Sequence, residues 1–208
     1  MDLARPYRVL SHPLDGAVLT VLSGTSRPLT GREVARLAPE GSQPGIWKAL
    51  GRLSTAGLVH REEAGNALLY TLNWDHLMAS AVATLAGLRQ SLFNLATELV
   101  AGWAIAPAHA SIFGSAARGD GDADSDIDIL IVRPVRISED DERWRSQLRA
   151  FATALEQASG NAVSISEIAQ QDLPRLTRER PPIVEAVVSD AVTLAGTEAA
   201  QLFRRGQA

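Results

Sequence analysis

Acidic side chains are concentrated in the stretch "SIFGSAARGDGDADSDIDILIV", residues 111–132, where every second residue from Asp120 to Asp128 is an aspartate. The last two, Asp126 and Asp128, lie in an alternating and then continuous apolar run that is typical of a buried strand. Because residues two apart on a strand share a face, we expect both carboxylates to project together, roughly 7 Å apart along the chain. The two charges repel each other unless a cation lies between them, and oxygen ligands of this kind suit Mg²⁺.

The residues just before the aspartates are of types that bind phosphate. Residues 111–113 predict a strand, Gly114 permits close approach to its backbone, and Ser115 opens a short helical turn. Free backbone N–H groups at the start of a helix, together with a serine hydroxyl, form a site for an anion. The stretch therefore predicts a phosphate-binding loop that faces a pair of metal ligands.

Two simpler explanations fit the acidic stretch less well. A calcium-binding EF-hand loop beginning at Asp120 needs glycine at its sixth position and glutamate at its twelfth, but Ser125 and Ile131 stand there. A solvated acidic turn accounts for Asp120, Asp122 and Asp124, which we assign to an exposed loop. It does not account for the acids inside the apolar run.

The segment "GSAARGDGDADSDIDILIV" resembles the nucleotidyltransferase domain of the DNA polymerase beta superfamily, in particular its minimal, MNT-like branch. The similarity extends from residue 109 to the C-terminus. It implies that Gly114, Ser115 and Arg118 bind a nucleoside triphosphate, for which ATP is the expected nucleotide. It also implies that Asp126 and Asp128 hold a Mg²⁺ cofactor and act as the catalytic residues in transfer of a nucleoside monophosphate. No GxxxxGK[ST] sequence is present, so P-loop chemistry is not a competing explanation.

One part of this family's usual site is missing from the sequence. The family usually has a third carboxylate on the neighbouring strand, and the corresponding segment here is "NAVSISEIA". The face of this strand that is open to the site carries Ser164 and Ser166. Glu167 lies on the opposite face, unless a bulge turns it toward the site. Loss of one ligand in a two-metal site should impair activation of the acceptor hydroxyl more than it weakens binding of the nucleotide.

Two functions therefore remain open for this half of the chain. The first is a Mg²⁺-dependent nucleotidyltransferase whose acceptor is a protein hydroxyl, a nucleic-acid end or a small molecule. The second is a DNA-binding transcription regulator or antitoxin-like protein whose nucleotidyltransferase domain binds nucleotide without catalysis.

The N-terminal third predicts three short helices followed by a hairpin. A first helix is expected between Asp15 and Leu22, and Thr30 begins a second with the spacing of a capping box. Ser42 can cap a third helix, whose apolar positions repeat at helical spacing. Two strand-like runs follow, separated by Gly65 and Asn66, which is typical of a hairpin.

This order of elements, and the segment "SQPGIWKALGRLSTAGLVHR", resemble the winged helix-turn-helix domain of ArsR- and MarR-type bacterial regulators. The resemblance implies that the third helix enters the major groove of double-stranded DNA, with the hairpin near the backbone. The residues expected to face DNA are Ser42, Gln43, Trp47, Lys48, Arg52 and Arg61, with His60 beside the last. Trp47 departs from the small polar residue usual in the family, and the alternative is a winged helix that docks a protein.

A heptad seam follows the hairpin. Apolar residues recur at alternating steps of three and four at Met78, Ala81, Leu85, Leu88, Leu92, Leu95 and Leu99. This spacing predicts one long connecting helix over residues 76–106, and we expect it to form a homodimer interface. The expected fold class is α+β, with a winged helix-turn-helix over 1–75 and a nucleotidyltransferase-like α/β domain with a small mixed sheet over 107–208.

Charge and composition support two soluble modules. Residues 1–75 carry eight basic and seven acidic side chains, +1, whereas residues 76–208 carry twelve against seventeen, −5. The absence of cysteine excludes disulfides and thiolate metal sites. No basic stretch followed by an apolar run opens the chain, and the apolar residues 77–106 are interrupted by polar ones, so we expect a cytoplasmic protein without a membrane span.

Overall fold

A computed structural model describes residues 13–203, which fall into two compact units. The first extends to Leu88 and the second begins at Arg89. In the part of the chain described, no helix is both long and apolar enough for a membrane span.

From residue 13 onward, where its description begins, the N-terminal unit contains four helices and a three-stranded antiparallel sheet. Its elements are α1 (Pro13–Ser23), β1 (Leu29–Thr30), α2 (Gly31–Leu37), α3 (Gln43–Thr55), β2 (Val59–Ala64), β3 (Ala67–Leu72) and α4 (Ala79–Ala86). The strand order is β1-β3-β2, and the β2–β3 hairpin turns at Gly65 and Asn66, with Gly65 at φ +61°. The three helices and the hairpin thus lie where the sequence predicts them.

Side-chain caps explain where α2 and α3 begin. The Thr30 side chain accepts a hydrogen bond from the Glu33 N–H while the Glu33 carboxylate accepts from the Thr30 N–H, which is the predicted capping box. The Ser42 hydroxyl accepts from the Gly45 N–H at 3.3 Å and starts α3. The apolar stripe of α3, Ile46, Leu50 and Leu53, is then buried in the core of this unit.

The region expected to form one connecting helix contains two helices. α4 ends at Ala86, Gly87 follows, and α5 covers Leu88–Ala101. Val82 of α4 packs in the core of the N-terminal unit, whereas Leu92, Leu95 and Leu99 of α5 pack in or against the core of the C-terminal unit. Leu92 is buried there, Leu95 and Leu99 are partly buried, and the seam residues Met78 and Ala81 are exposed.

The C-terminal unit is built on a four-stranded mixed sheet. After α5 it contains β4 (His109–Phe113), α6 (Gly114–Arg118), β5 (Ile127–Arg133), α7 (Glu142–Ser159), β6 (Val163–Ala169), a 3₁₀ turn (Gln170–Asp172), α8 (Leu173–Glu179), α9 (Pro182–Asp190), β7 (Val192–Gly196) and α10 (Ala199–Leu202). The strand order is β6-β5-β4-β7, in which β5 and β6 are parallel and the other pairs antiparallel.

Alternation along β5 assigns its side chains to two different cores. Ile127, Ile129 and Ile131 pack against α5 and α7 on one face of the sheet, while Leu130 and Val132 pack with residues of α9 on the other. Asp128 has the parity of Leu130 and therefore lies on the α9 face, near the beginning of the strand.

Helix α7 begins at Glu142. Its N-cap is Asp141, whose carboxylate accepts from the N–H groups of Arg143 and Trp144. The nearby Ser138 hydroxyl accepts from the N–H of Asp140. Two capping residues lie close together here, and the one that reaches two orphan N–H groups sets the helix boundary.

His109 is a buried core residue. Its Nδ1 lies 2.7 Å from the Thr197 carbonyl oxygen and its Nε2 lies 2.8 Å from the Ser111 hydroxyl. Because a carbonyl only accepts, Nδ1 carries the proton and the Ser111 hydroxyl donates to Nε2. Burial lowers the pKa of His109, although the hydrogen bond to Thr197 and the charge of Glu198 oppose the shift.

We expect His109 to make the stability of the C-terminal unit depend on pH. The pKa of His109 in the folded protein lies below the unfolded value of about 6.5. Neutral His109 therefore contributes fully to the free energy of unfolding above that pH, and the contribution is lost as the pH falls through the folded pKa. His109→Gln should cost about 1 kcal/mol per lost hydrogen bond and remove this slope. Urea unfolding followed by tryptophan fluorescence between about pH 7.5 and about pH 5 measures both effects. An equal pH slope in the variant would contradict the assignment.

Candidate functional site

The backbone of Gly114 lies against the carboxylate of Asp128. Antiparallel pairing of β4 and β5 places Phe113 opposite Asp128, so the next residue of the chain passes beside that side chain. Gly114 has φ +68°, and a Cβ at this position would overlap the Asp128 carboxylate. Both facts require glycine here, and they bring the predicted phosphate-binding backbone into contact with a predicted metal ligand.

The aspartate-rich loop after α6 folds back over Ser115. Gly121 is buried, and a Cβ there would lie 2.9 Å from the Ser115 hydroxyl oxygen. The Asn161 side chain holds the loop in this position, because its amide donates hydrogen bonds to the carbonyl oxygens of Ala123, at 3.3 Å, and Ser125, at 3.0 Å. The loop therefore forms one wall of the site at Gly114 and Ser115.

Asp122 organises the tip of the same loop. Its carboxylate accepts from the Asp124 N–H at 3.1 Å and from the Ser125 hydroxyl at 2.8 Å. The hydrogen bond from Ser125 is the first cause of the lowered pKa of Asp122, and the one from Asp124 adds to it. Asp120, Asp122 and Asp124 are all exposed to solvent, as expected for a surface loop.

Asp126 and Asp128 form a pair of neighbouring charges at the start of β5. Asp126 is exposed and immediately precedes the strand, and Asp128 is half-buried within it. Burial raises the pKa of the Asp128 carboxyl first, and the negative charge of Asp126 raises it further, against an opposing influence of Arg118. A cation between these carboxylates would offset both the burial of the Asp128 charge and its repulsion by Asp126.

The donor set at this pair suits a hard cation with few protein ligands. Across residues 13–203 no cluster of three or more histidines, aspartates or glutamates has the arrangement of a metal site. Two carboxylates beside a partly buried glycine backbone fit Mg²⁺, which keeps several waters and takes other ligands from substrate phosphates. Asp126 and Asp128 therefore fit the cofactor that the sequence implies.

The neighbouring strand β6 presents hydroxyl groups on the face of Asp128. β6 runs parallel to β5 without a register shift, and Ser164 pairs with Asp128 and Ser166 with Leu130. Glu167 points to the opposite face, where it accepts hydrogen bonds from Arg133, at 2.5 Å, and from the Trp144 indole, at 3.0 Å. No bulge brings Glu167 to the site.

Arg118 at the end of α6 is held by two carboxylates. Its Nε donates to Asp120 at 2.9 Å, and its Nη1 donates to Asp190 at 2.6 Å. These hydrogen bonds, that of Asp120 first, raise the pKa of Arg118. Asp120 is 59% exposed, whereas Asp190 is only 13% exposed. The predicted phosphate ligand is thus already positioned by acids on either side of it.

Asp190 and Arg89 are site residues that the sequence did not indicate. Asp190 is the last residue of α9 and lies 72 positions from its partner Arg118. Arg89 of α5 places its guanidinium against the backbone of Gly119 and over the Phe93 ring, 5.6 Å from the ring centroid. Neither has a local pattern that marks it, because each reaches the loop only through the packing of distant elements.

In the N-terminal unit, the structure separates the predicted DNA-facing residues into different roles. Ser42 caps α3, and Arg52 pairs with Asp15 of α1. Gln43, Trp47 and Lys48 are exposed on α3. Arg61 is exposed on the edge strand β2, followed directly by the exposed Glu62 and Glu63, and His60 precedes it on the same strand.

Part of the chain matches a known family. Residues 94–184 match the family model described as the nucleotidyltransferase domain. The chain is similar to a solved structure titled a toxin-antitoxin with AMP-PNP, at 22% identity over 53% of this chain and 79% of that chain, with a TM-score of 0.37. It is similar to a mutant of the toxin-antitoxin MntA-HpeT at 19% identity, with the same coverage and a TM-score of 0.38. No curated protein matches the sequence significantly.

The two acids on Arg118 should differ in their importance. Exposed ion pairs contribute little, so Asp120→Asn should leave the melting temperature of the C-terminal unit nearly unchanged, whereas Asp190→Asn should lower it. The pKa of Asp190 is lowered, first by Ser189 and then by Arg118. Its stabilisation is therefore present above the unfolded value of about 3.9 and is lost as the pH falls through the folded pKa.

Thermal melts of both variants and the unmodified protein, at neutral pH and below about pH 4, test this difference. The gap between the unmodified protein and Asp190→Asn should narrow in acid. Equal melting temperatures for Asp120→Asn and Asp190→Asn at neutral pH would contradict it.

Proposed function

We propose that the C-terminal unit is a Mg²⁺-dependent nucleotidyltransferase that transfers a nucleoside monophosphate from a nucleoside triphosphate, with ATP the expected donor. The observation that carries the proposal is the contact of the Gly114 backbone with the Asp128 carboxylate. This contact joins a phosphate-binding loop to a metal ligand, and both lie within the residues that match the nucleotidyltransferase domain. The acceptor is a hydroxyl of a protein, a nucleic-acid end or a small molecule.

Each residue of the site has a task in this reaction. Asp126 and Asp128 would hold Mg²⁺, which when bound neutralises phosphate charge and orients the reacting phosphorus for in-line displacement. The Gly114 backbone and the Ser115 hydroxyl bind phosphate oxygens. Arg118, kept in place by Asp120 and Asp190, adds positive charge beside them.

A second candidate function is nucleotide binding without transfer, as in a regulator or antitoxin-like protein that senses a nucleotide. The specific observation in its favour is β6, which places Ser164 next to Asp128 where a third carboxylate would activate the acceptor. A hydroxyl binds a metal more weakly than a carboxylate does. The nucleotide-binding half of the site does not depend on this position.

Transfer of a labelled nucleotide tests the catalytic proposal. We expect the protein, incubated with Mg²⁺, cell lysate and each α-labelled nucleoside triphosphate in turn, to form a covalently labelled product. Asp126→Asn should reduce that product by about 100-fold or more, since it removes a metal ligand. Ser164→Asp is the informative partner variant, because it places a carboxylate in register with Asp128.

The outcomes separate the two candidates. Product from the unmodified protein supports the enzyme. Product from Ser164→Asp alone supports nucleotide binding by a site that lacks only the third acid. No product from either, with nucleotide binding intact, would rule out transfer.

The metal pair can also be tested without an activity assay. Asp128→Asn should leave the ligand-free protein as stable or slightly more stable, because it removes a half-buried charge beside Asp126. The unmodified protein should gain roughly 2.7 kcal/mol from Mg²⁺ and nucleotide at about 100 times the dissociation constant, and the variant should gain nothing. Thermal melts with and without ligands measure this. An equal gain in stability from the ligands in both proteins would show that Asp128 does not hold the metal.

For the N-terminal unit we propose a winged helix-turn-helix that binds DNA and brings the nucleotidyltransferase to it. The proposal is supported by the three helices followed by a hairpin, and by the exposed Gln43 and Lys48 on α3. Arg52 is a weaker candidate than the sequence suggested, because Asp15 already neutralises it. Pairing of two copies would bring two such helices to DNA, and the heptad residues available for it are the exposed Met78 and Ala81 and the partly buried Leu95 and Leu99.

A further inference from the structure

Trp47 is an exposed aromatic residue whose ring lies against the start of α2. It is 50% exposed on α3. A Cβ added to Gly31, the first residue of α2, would lie 3.0 Å from the indole Nε1 and 3.2 Å from Cδ1. The indole therefore rests on the backbone of α2 instead of projecting freely from α3.

One side of this indole borders a cleft of about 640 Å³, which we name the Trp47 cleft. Its other walls include Arg32 of α2, the hairpin residues Ala67 and Leu68, and the ring of Tyr70. A second groove of about 520 Å³ adjoins Trp47 and Arg32, and it is lined also by Arg36 and Gln43. The cleft and the groove share Arg32 and Trp47, and together they form a continuous track along which the Trp47 ring is one wall.

Unpaired cations border this track. Among residues 13–203, Arg32 and Arg36 make no ion pair, although Arg27 pairs with Glu33 at 3.0 Å and Arg52 pairs with Asp15. Arg32 and Arg36 are one turn apart on α2, so their side chains lie on the same face. Two free positive charges are thus placed beside Trp47.

We infer that the Trp47 cleft binds single-stranded nucleic acid, with a base stacked on the Trp47 indole and phosphates on Arg32 and Arg36. A fixed aromatic face next to a row of cations is the arrangement that single strands use, because an unpaired base exposes its π-face. Bases in a duplex hide those faces, so stacking on the indole favours a single strand. The inference deepens the proposed nucleic-acid binding of this unit and is independent of nucleotide transfer.

The test is fluorescence anisotropy of the full chain with a labelled 15-nucleotide oligothymidine and with a duplex of the same length, at several salt concentrations. We expect tighter binding of the single strand. Trp47→Ala should weaken it by about tenfold or more, the effect of losing one stacked base. Trp74→Ala is the matched control, since Trp74 is 56% exposed elsewhere in the same unit.

Replacing both Arg32 and Arg36 by glutamine should reduce the slope of log affinity against log salt by about 1.4, because each neutralised phosphate of a single strand contributes about 0.7 to that slope. Arg27→Gln, which removes a paired cation, should leave the slope unchanged. Gly31→Ala provides a variant that keeps every aromatic ring but forces the Trp47 indole to move, and it should also weaken binding.

Four results would overturn the inference: tighter binding of the duplex, equal effects of Trp47→Ala and Trp74→Ala, an unchanged salt slope in the double arginine variant, or equal binding of polyglutamate. Binding of the duplex alone would leave the winged-helix proposal intact. No binding of either nucleic acid would contradict both the winged-helix proposal and the single-strand inference. Failure of the nucleotide-transfer assay bears on neither.

Discussion

The close approach of the Gly114 backbone to the Asp128 carboxylate is the constraint on which the candidate site depends. It follows from the pairing of β4 with β5, which sets Phe113 opposite Asp128 and leaves no room for a Cβ on the next residue. The pairing is itself fixed by burial, because Ile112 and Ile129 face each other inside the core. Packing of a hydrophobic sheet thus determines the spacing between the predicted phosphate-binding loop and the predicted metal ligand.

The charges around that contact determine which ligand the site can accept. Burial, and then the negative charge of Asp126, disfavour ionisation of Asp128, while the positive charge of Arg118 is divided between Asp120 and Asp190. A free anion would meet a region that already holds more negative than positive charge. A nucleotide accompanied by a divalent cation meets both requirements, since the cation satisfies the paired carboxylates and the phosphates satisfy the backbone and the arginine.

Several elements followed from local patterns, and the exceptions have physical causes. The β5 strand, the β2–β3 hairpin and the caps at Thr30 and Ser42 were predictable because each rests on residues within a few positions of one another. The heptad spacing of residues 78–99 did not predict the break at Gly87, because seven-residue spacing describes an apolar stripe and does not determine whether one helix carries all of it. The α5 leucines of the stripe pack in or against the C-terminal core, whereas Met78 and Ala81 are exposed.

The sequence by itself determined the two-part motif of Gly114 and Ser115 with Asp126 and Asp128, and the face of β5 on which Asp128 lies, since strand alternation is a property of the backbone. It also determined that β6 offers Ser164 and Ser166 there and no acid. Only the tertiary structure decided that Asp190 holds Arg118, that Arg52 is neutralised by Asp15, and that Trp47 rests on Gly31. These contacts join residues 16 to 72 positions apart, and such distances are set by how helices pack and not by the periodicity of any one segment.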